Sequence, residues 1–230
     1  METNRTRALV LLGSEMRGAH GAPSTKAAIC EFLWSLPWLS FDVTGDWSVL
    51  SDDRLRGHDV LIQYAGDRRH DATGEQVAAL TRFIERGGGY VPLHFTTANA
   101  NEQFLRLVGA SFINHPPFGP FTVQVSDRDH PVTHGLGSFE IEDECYRSNV
   151  FDPSAIHVIA TSHHPDAEAK IDGEPSAWTR EIGRGRLFYS ALGHDQRVWP
   201  HPAVRELIAR GIRWAARAEP VALPVEEVKQ

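Results

Sequence analysis

Twelve histidines in 230 residues are a rich supply of a side chain that ligates metals and trades protons near neutral pH. Five stand where a chemical role is open to them: His20 in Gly18-Ala19-His20-Gly21, His94 after the apolar run Tyr90-Val91-Pro92-Leu93, His115 in Asn114-His115-Pro116-Pro117, His134, and His194 after Leu187 to Leu192. Each also has a plainer reading. A histidine at a strand end can simply hydrogen-bond backbone groups, and His134 follows Asp129-His130-Pro131, a stretch whose residues more often fix a turn. The acidic counterpart is Asp143-Glu144-Cys145-Tyr146. A carboxylate beside imidazoles could ligate a divalent ion, act as a base or hold a sugar hydroxyl, although Glu140, Glu142, Asp143 and Glu144 also read as a solvated run. Trp178 could stack on a sugar ring or equally be core, and Arg180 could bind a hydroxyl or a carboxylate or simply pair with an acid. Asp195 could orient His194 if the chain turns at Gly193. No His-Glu-x-x-His or Cys-x-x-Cys spacing is present, so a metal is argued from convergence alone.

Convergence requires a frame. Arg7 to Gly13 reads as a strand, and Thr25 to Leu36 as a helix with Ser24 or Thr25 as its cap. Phe41 to Val43 is extended, and Asp59 to Ala65 is the next strand. Glu75 to Arg86 is an amphipathic helix with Val77, Leu80, Phe83 and Ile84 on one face. Gly87-Gly88-Gly89 stops it, and Tyr90 to Leu93 is a short buried strand that delivers His94 at its carboxyl end. Asn101 to Val108 is a further helix. This alternation predicts an α/β fold with a doubly wound, mainly parallel sheet, helices on both faces and ligands beyond the carboxyl ends of its strands. After Ala110 the texture changes to a β-rich insertion, with strands at Phe121 to Val125, Phe139 to Ile141 and Ile156 to Ala160. Ala177 to Ile182 and Arg186 to Leu192 flank Gly183-Arg184-Gly185 as a hairpin, and Pro202 to Ala216 closes as an amphipathic helix.

Composition excludes several classes. A net charge of −7 with no Lys/Arg cluster argues against nucleic acid as a partner. Ala8 to Leu12 is too short for a signal-peptide core or a membrane span. Cys30 and Cys145 have neither metal nor disulfide spacing, and a reducing cytoplasm is expected.

Taken in order, several segments resemble the ThuA-like (trehalose-utilisation) family of the class I glutamine amidotransferase-like, flavodoxin-like fold. They are His58-Asp59-Val60-Leu61-Ile62, Phe83 to His94, Gly109-Ala110-Ser111-Phe112 leading to His115-Pro116, and Asp129-His130-Pro131-Val132-Thr133-His134-Gly135-Leu136. Asp143-Glu144-Cys145-Tyr146, Ala177-Trp178-Thr179-Arg180 and Gly185 to Asp195 complete the set. With no internal repeat, low-complexity run or linker, a single domain over residues 1–230 is expected; the resemblance covers a core at about 7–217, with a tail from 218 to 230. It implies a role in carbohydrate catabolism, directed at glycosides oxidised to 3-keto sugars. It also implies that glutamine hydrolysis is absent, because the turn that carries the amidotransferase cysteine here reads Leu93-His94-Phe95. Pro92 and Phe95 flank His94 where smaller residues are expected.

On that basis His94, His194 and Glu144 are assigned to catalysis, and His94, His115 and His194 to a divalent metal such as zinc. His20, Tyr146, Trp178, Arg180 and Asp195 are assigned to substrate. No nucleotide cofactor is expected; a small sugar and a second copy of the chain, as a homodimer, are the expected partners. The reaction expected is metal-assisted proton abstraction next to a sugar carbonyl, followed by cleavage or isomerisation. The alternatives are a non-catalytic sugar-binding or regulatory module and a hydrolase of small amides or esters.

Overall fold

The computed structural model describes residues 5–13, 20–66 and 72–218. The tail from residue 219 onward and the Gly18-Ala19 part of the first loop lie outside them. One nine-stranded sheet dominates, in the order β2-β1-β3-β4-β11-β10-β9-β6-β7. Its first half is parallel: β2 (Leu39–Thr44), β1 (Thr6–Leu11), β3 (Val60–Gln63), β4 (Gly89–Pro92) and β11 (Gly185–Ser190). Numbered by their own sequence order, these five run 2-1-3-4-5, the arrangement of flavodoxin-like sheets. The second half is antiparallel: β10 (Asp172–Ile182), β9 (His157–His163), β6 (Gly119–Val125) and β7 (Phe139–Asp143). β5 (Ala110–Asn114) and β8 (Arg147–Val150) form a separate antiparallel pair.

Alternation along the parallel strands assigns the helices. In β1, Ala8 and Val10 join a buried cluster with Ile29, Phe32 and Leu33 of α1 (Pro23–Trp34) and with Val204, Leu207, Ile208 and Ile212 of α5 (Pro202–Ala215). Leu9 and Leu11 point the other way, toward Leu55 of the one-turn α2 (Asp52–Leu55). Val77, Leu80, Phe83 and Ile84 of α3 (Gly74–Glu85) and Phe104, Leu105 and Val108 of α4 (Glu102–Val108) share that side. Successive strand residues face opposite ways, so each strand is buried on both sides, as parallel sheets require. α3 carries the capping box Thr73–Gln76 and ends at Arg86, followed by Gly87 at φ 114°. That left-handed conformation favours glycine. β4 lies between β3 and β11, an inner strand.

Two local expectations change. α1 begins at Pro23 with Ala22 as its cap. The hydroxyls of Ser24 and Thr25 instead reach Gln196 Oε1, at 3.1 and 3.3 Å. The sheet is parallel only through β11, since the region read as an insertion adds its strands antiparallel to the same sheet.

That antiparallel half curls. β7 is four places from β11, about 19 Å across a flat sheet. Yet the Gly193 N–H just after β11 donates to Asp143 Oδ2 at the end of β7, at 2.7 Å. Phe121, Val123, Ile141 and Ile159 belong to the same buried cluster as Phe188 and Trp199. The twist thus brings the last residues of β7 over the carboxyl end of β11.

Candidate active site

His94 occupies the turn after β4. The chain leaves the strand through Leu93, and His94 opens a short 3-10 helix, His94–Thr97, at φ 47°. A non-glycine residue at positive φ costs roughly 1–2 kcal/mol and persists only where its surroundings hold it. Here Tyr189 Oη donates to the His94 carbonyl at 2.9 Å, and Thr96 Oγ1 donates to the Leu93 carbonyl at 2.8 Å. The imidazole is fully buried. Its Nδ1 donates to the Ala191 carbonyl at 2.6 Å, which leaves the lone pair on Nε2.

His94 Nε2 faces three other groups. It is 3.0 Å from His20 Nε2, 3.4 Å from Glu144 Oε2 and 2.9 Å from Tyr146 Oη. His20 comes from the loop between β1 and α1 and stacks on Phe95, ring centres 4.5 Å apart. Its Nε2 is also 3.1 Å from His194 Nδ1 and 3.8 Å from Glu144 Oε2. Glu144 Oε2 is 3.0 Å from His194 Nδ1. The four ligand atoms, one from each residue, lie within 4.8 Å of one another.

His194 follows β11 across Gly193, whose φ is 116°. Both donors of this turn are spent on Asp143: Gly193 N–H at 2.7 Å and His194 N–H at 3.2 Å, with Glu144 N–H at 2.8 Å as a third. Tyr64 Oη donates to the Gly193 and His194 carbonyls at 2.9 and 2.7 Å. Asp143 is completely buried, and burial pushes its carboxyl up despite the His94 imidazole and these backbone donors. One buried carboxyl group therefore joins the end of β7 to the end of β11.

The electrostatics are those of a cation site. Burial, reinforced by His94 and His194, lowers His20 to about 3, so it keeps a free lone pair at neutral pH. Burial acts to raise the Glu144 carboxyl, but His194 and His94 outweigh it and hold it below the ordinary range. Burial also opposes charge on His194, and the Glu144 carboxylate outweighs that effect and raises it. Tyr146 is lifted well above its usual value by burial and by Glu144, so it stays a neutral donor. Glu144 Oε2 is buried and makes no aligned hydrogen bond, a costly state for a carboxylate.

Three imidazole nitrogens and one carboxylate oxygen are a donor set suited to zinc and similar divalent ions. Tetrahedral ligands at 2.0–2.2 Å from an ion stand about 3.3–3.6 Å apart. Five of the six separations run from 3.0 to 3.8 Å, and the sixth, between His94 and His194, stays within 4.8 Å. His20, His94, Glu144 and His194 therefore fit a bound metal ion, and the Nδ1–H of His94 supplies the backbone-anchored orientation that metal-bound histidines use.

The other residues singled out in the sequence fall outside this group of four, though Tyr146 and His115 border it. His115 is not in the group of four; its Nε2 meets the second oxygen, Glu144 Oε1, at 3.3 Å, and its Nδ1 donates to the Pro116 carbonyl at 2.7 Å. His20, expected at the substrate, stands in the group of four where His115 was expected. Trp178 is fully buried, stacks on Tyr189 at 4.0 Å and donates to the Val108 carbonyl; a ring with no exposed face cannot stack on a sugar. Arg180 is spent on the Arg106, Leu107 and Ala155 carbonyls, where it caps α4. Asp195 pairs with Arg197 at 2.6 Å rather than orienting His194, and the carboxyl that positions His194 is Asp143. His134 is exposed, with its carbonyl bound to Arg210. The cysteines are both free. Cys145 is buried, and burial pushes its thiol up to about 12, the profile of an inert core residue.

Tyr64 and Phe118 carry no signal in the sequence, and Asp143, part of the acidic candidate, has no role assigned there. Phe118 lies 5.7 Å from His194, under the Arg197 guanidinium at 3.8 Å. Asp143 stood in plain view beside Glu144, but its partners are fifty residues distant.

Comparison with known proteins agrees with this fold. A ThuA-like protein from Bacteroides uniformis superposes with a TM-score of 0.77 at 21% identity, covering 94% of this chain and 93% of its own. One from Parabacteroides merdae gives 0.76 at 19% identity, covering 94% and 93%. The β-galactosidase of Bacillus circulans sp. alkalophilus gives 0.63 at 13% identity, where 94% of this chain covers 32% of the enzyme. No curated protein matches the chain significantly. No helix among the described residues is long and apolar enough to cross a membrane. The ThuA family model, described as trehalose utilisation, matches residues 7–215, and the chain belongs to that carbohydrate-related family.

Proposed function

We propose that this protein cleaves or isomerises a glycoside already oxidised to a ketone, most simply a 3-keto sugar, by removing the proton next to the carbonyl. The observation that carries the reading is the buried group of His20, His94, Glu144 and His194, with Glu144 Oε2 facing three imidazole nitrogens at 3.0–3.8 Å and no aligned donor. Membership of a trehalose-utilisation family supports a sugar as the substrate class. A divalent ion held by these four residues would supply a Lewis acid toward the carbonyl oxygen.

The chain's own groups divide the remaining work. Glu144, held ionised by its imidazole neighbours, is a good ligand and a weak base. His115 donates Nδ1–H to Pro116, so its proton traffic is confined to Nε2, which faces Glu144 Oε1. We assign the proton transfer to that nitrogen. It takes the proton from C2 of the 3-keto sugar; the C1–oxygen bond then breaks and the aglycone leaves with a proton. Water adding across the resulting C1=C2 bond completes a net hydrolysis. Two glycosidase carboxylates are then unnecessary. Tyr146, a neutral donor 2.9 Å from His94 Nε2, borders the same space. The two free cysteines accord with a cytoplasmic setting, and we read the chain as one ThuA-like domain.

The test is hydrogen exchange at C2 of a 3-keto glycoside in deuterated water. Exchange and turnover by the metal-replete protein are expected, with both lost in His115→Gln while bound metal is kept. Equal turnover of the unoxidised glycoside would overturn the reading.

A further inference from the structure

At the opposite end of the parallel strands, where β11 begins, the surface carries a different chemistry. A cavity of about 420 Å³ is lined by Pro131, Arg186, Arg210, Arg213, Trp214 and Arg217. β11 is six residues long, so this pocket is about 20 Å along the strand from His194. Four arginines lining one cavity are unexpected in a chain with seven more acidic than basic residues.

The acids nearby do not balance them. Arg186 pairs with Glu181 at 3.3 Å and lies over the Trp214 ring at 4.8 Å. Arg210 pairs with Glu206 at 2.5 Å. Among the described residues Arg213 and Arg217 have no carboxylate partner. Arg217 Nη2 donates to the Arg184 carbonyl at 2.7 Å, and Arg213 lies over Trp38 at 4.5 Å, its Nε buried without a hydrogen-bond partner. Among the described residues Arg213 feels Glu206 only at a distance, and neither it nor Arg217 has an ion pair beside this aromatic wall.

We infer that this pocket binds a small oxyanion, a phosphate or polycarboxylate group, recognised by the forked donors of Arg186, Arg213 and Arg217. Guanidinium groups suit such ligands because they offer paired, fixed donors and keep their charge. The inference stands apart from the chemistry at His94 and does not depend on it.

Titration calorimetry on the full chain at constant ionic strength, with inorganic phosphate and citrate as separate probes, tests it. Saturable binding of at least one probe is expected, and the tighter one identifies the oxyanion class. Arg217→Gln, at an exposed position, should weaken binding about tenfold, and Arg213→Gln with Arg217→Gln should abolish it. Thermal unfolding and metal content of Arg217→Gln should match the parent, which separates lost binding from lost folding. No saturable binding of either probe, or equal binding by the folded single and double variants, would overturn the inference. So would binding that appears only after Glu219, Glu226 and Glu227 are changed to Gln, because the anion would then be the chain's own carboxylates.

Discussion

Three imidazoles of the cluster come from loops that follow parallel strands, whereas its carboxylate arrives from the end of β7 in the antiparallel half. The parallel half supplies nitrogen ligands on a rigid rim: His20 after β1, His94 after β4 and His194 after β11. The antiparallel half supplies negative charge, Glu144 to the cluster and Asp143 to the turn that carries His194. Either half alone is incomplete. Three converging imidazoles without the carboxylate would carry no anionic ligand, and a buried Glu144 without them would be an uncompensated charge. The curl of the sheet is thus as much part of the site as any ligand.

Breaking the parallel contribution should have the largest effect. His94→Ala and His194→Ala are each expected to lower turnover of a 3-keto glycoside by about a thousandfold or more, with loss of bound metal. Glu144→Gln breaks the other side. As a ligand substitution it should lower metal and activity together, whereas retained metal with lost activity would make Glu144 the base.

The link between the halves comes next. Asp143→Ala removes the acceptor for three buried N–H groups and should destabilise the fold by about 3 kcal/mol. The midpoint of urea unfolding reads this directly, and an unchanged midpoint would show that the halves are held together elsewhere.

A smaller effect distinguishes core from pocket. Trp178→Phe loses the hydrogen bond to the Val108 carbonyl and should cost about 1 kcal/mol, while kcat and KM stay unchanged. A rise in KM alone would return Trp178 to the substrate site.

The smallest expected effect is a pH dependence in the antiparallel half. Burial, aided by His157, holds His130 below its usual value. The unfolded chain therefore takes up a proton near pH 6.5 that the folded chain resists. Stability should be unaffected by His130 well above pH 6.5 and should fall as the pH drops below it, by less than about 1.4 kcal/mol per pH unit. His130→Gln should flatten that decline in urea titrations between pH 6.5 and 5.

The sequence announced the parallel half more clearly than the antiparallel one, for a physical reason. The stripe Val77, Leu80, Phe83 and Ile84 and the stop at Gly87 are local signals, and they place His94 at an inner strand end without any distant information. Glu144 could be singled out, but its meeting with His20 and His194 depends on the curl of β7, which no window of residues encodes. His20 rather than His115 joins the group of four for the same reason: both sit in loops whose destination is decided by tertiary packing. Trp178 and Arg180 illustrate the reverse error, since residue types suited to sugars are equally suited to a core stack and a helix cap. β5 and β8, short and paired only with each other, were absent from the sequence reading.

Metal analysis of the purified full chain is the sharpest test of the four-residue site. About one divalent ion per chain is expected, lost in His20→Ala, His94→Ala and His194→Ala and retained in His115→Ala. A folded protein that binds no divalent ion after incubation with zinc, or one whose metal is lost in His115→Ala but kept in His20→Ala, would contradict it.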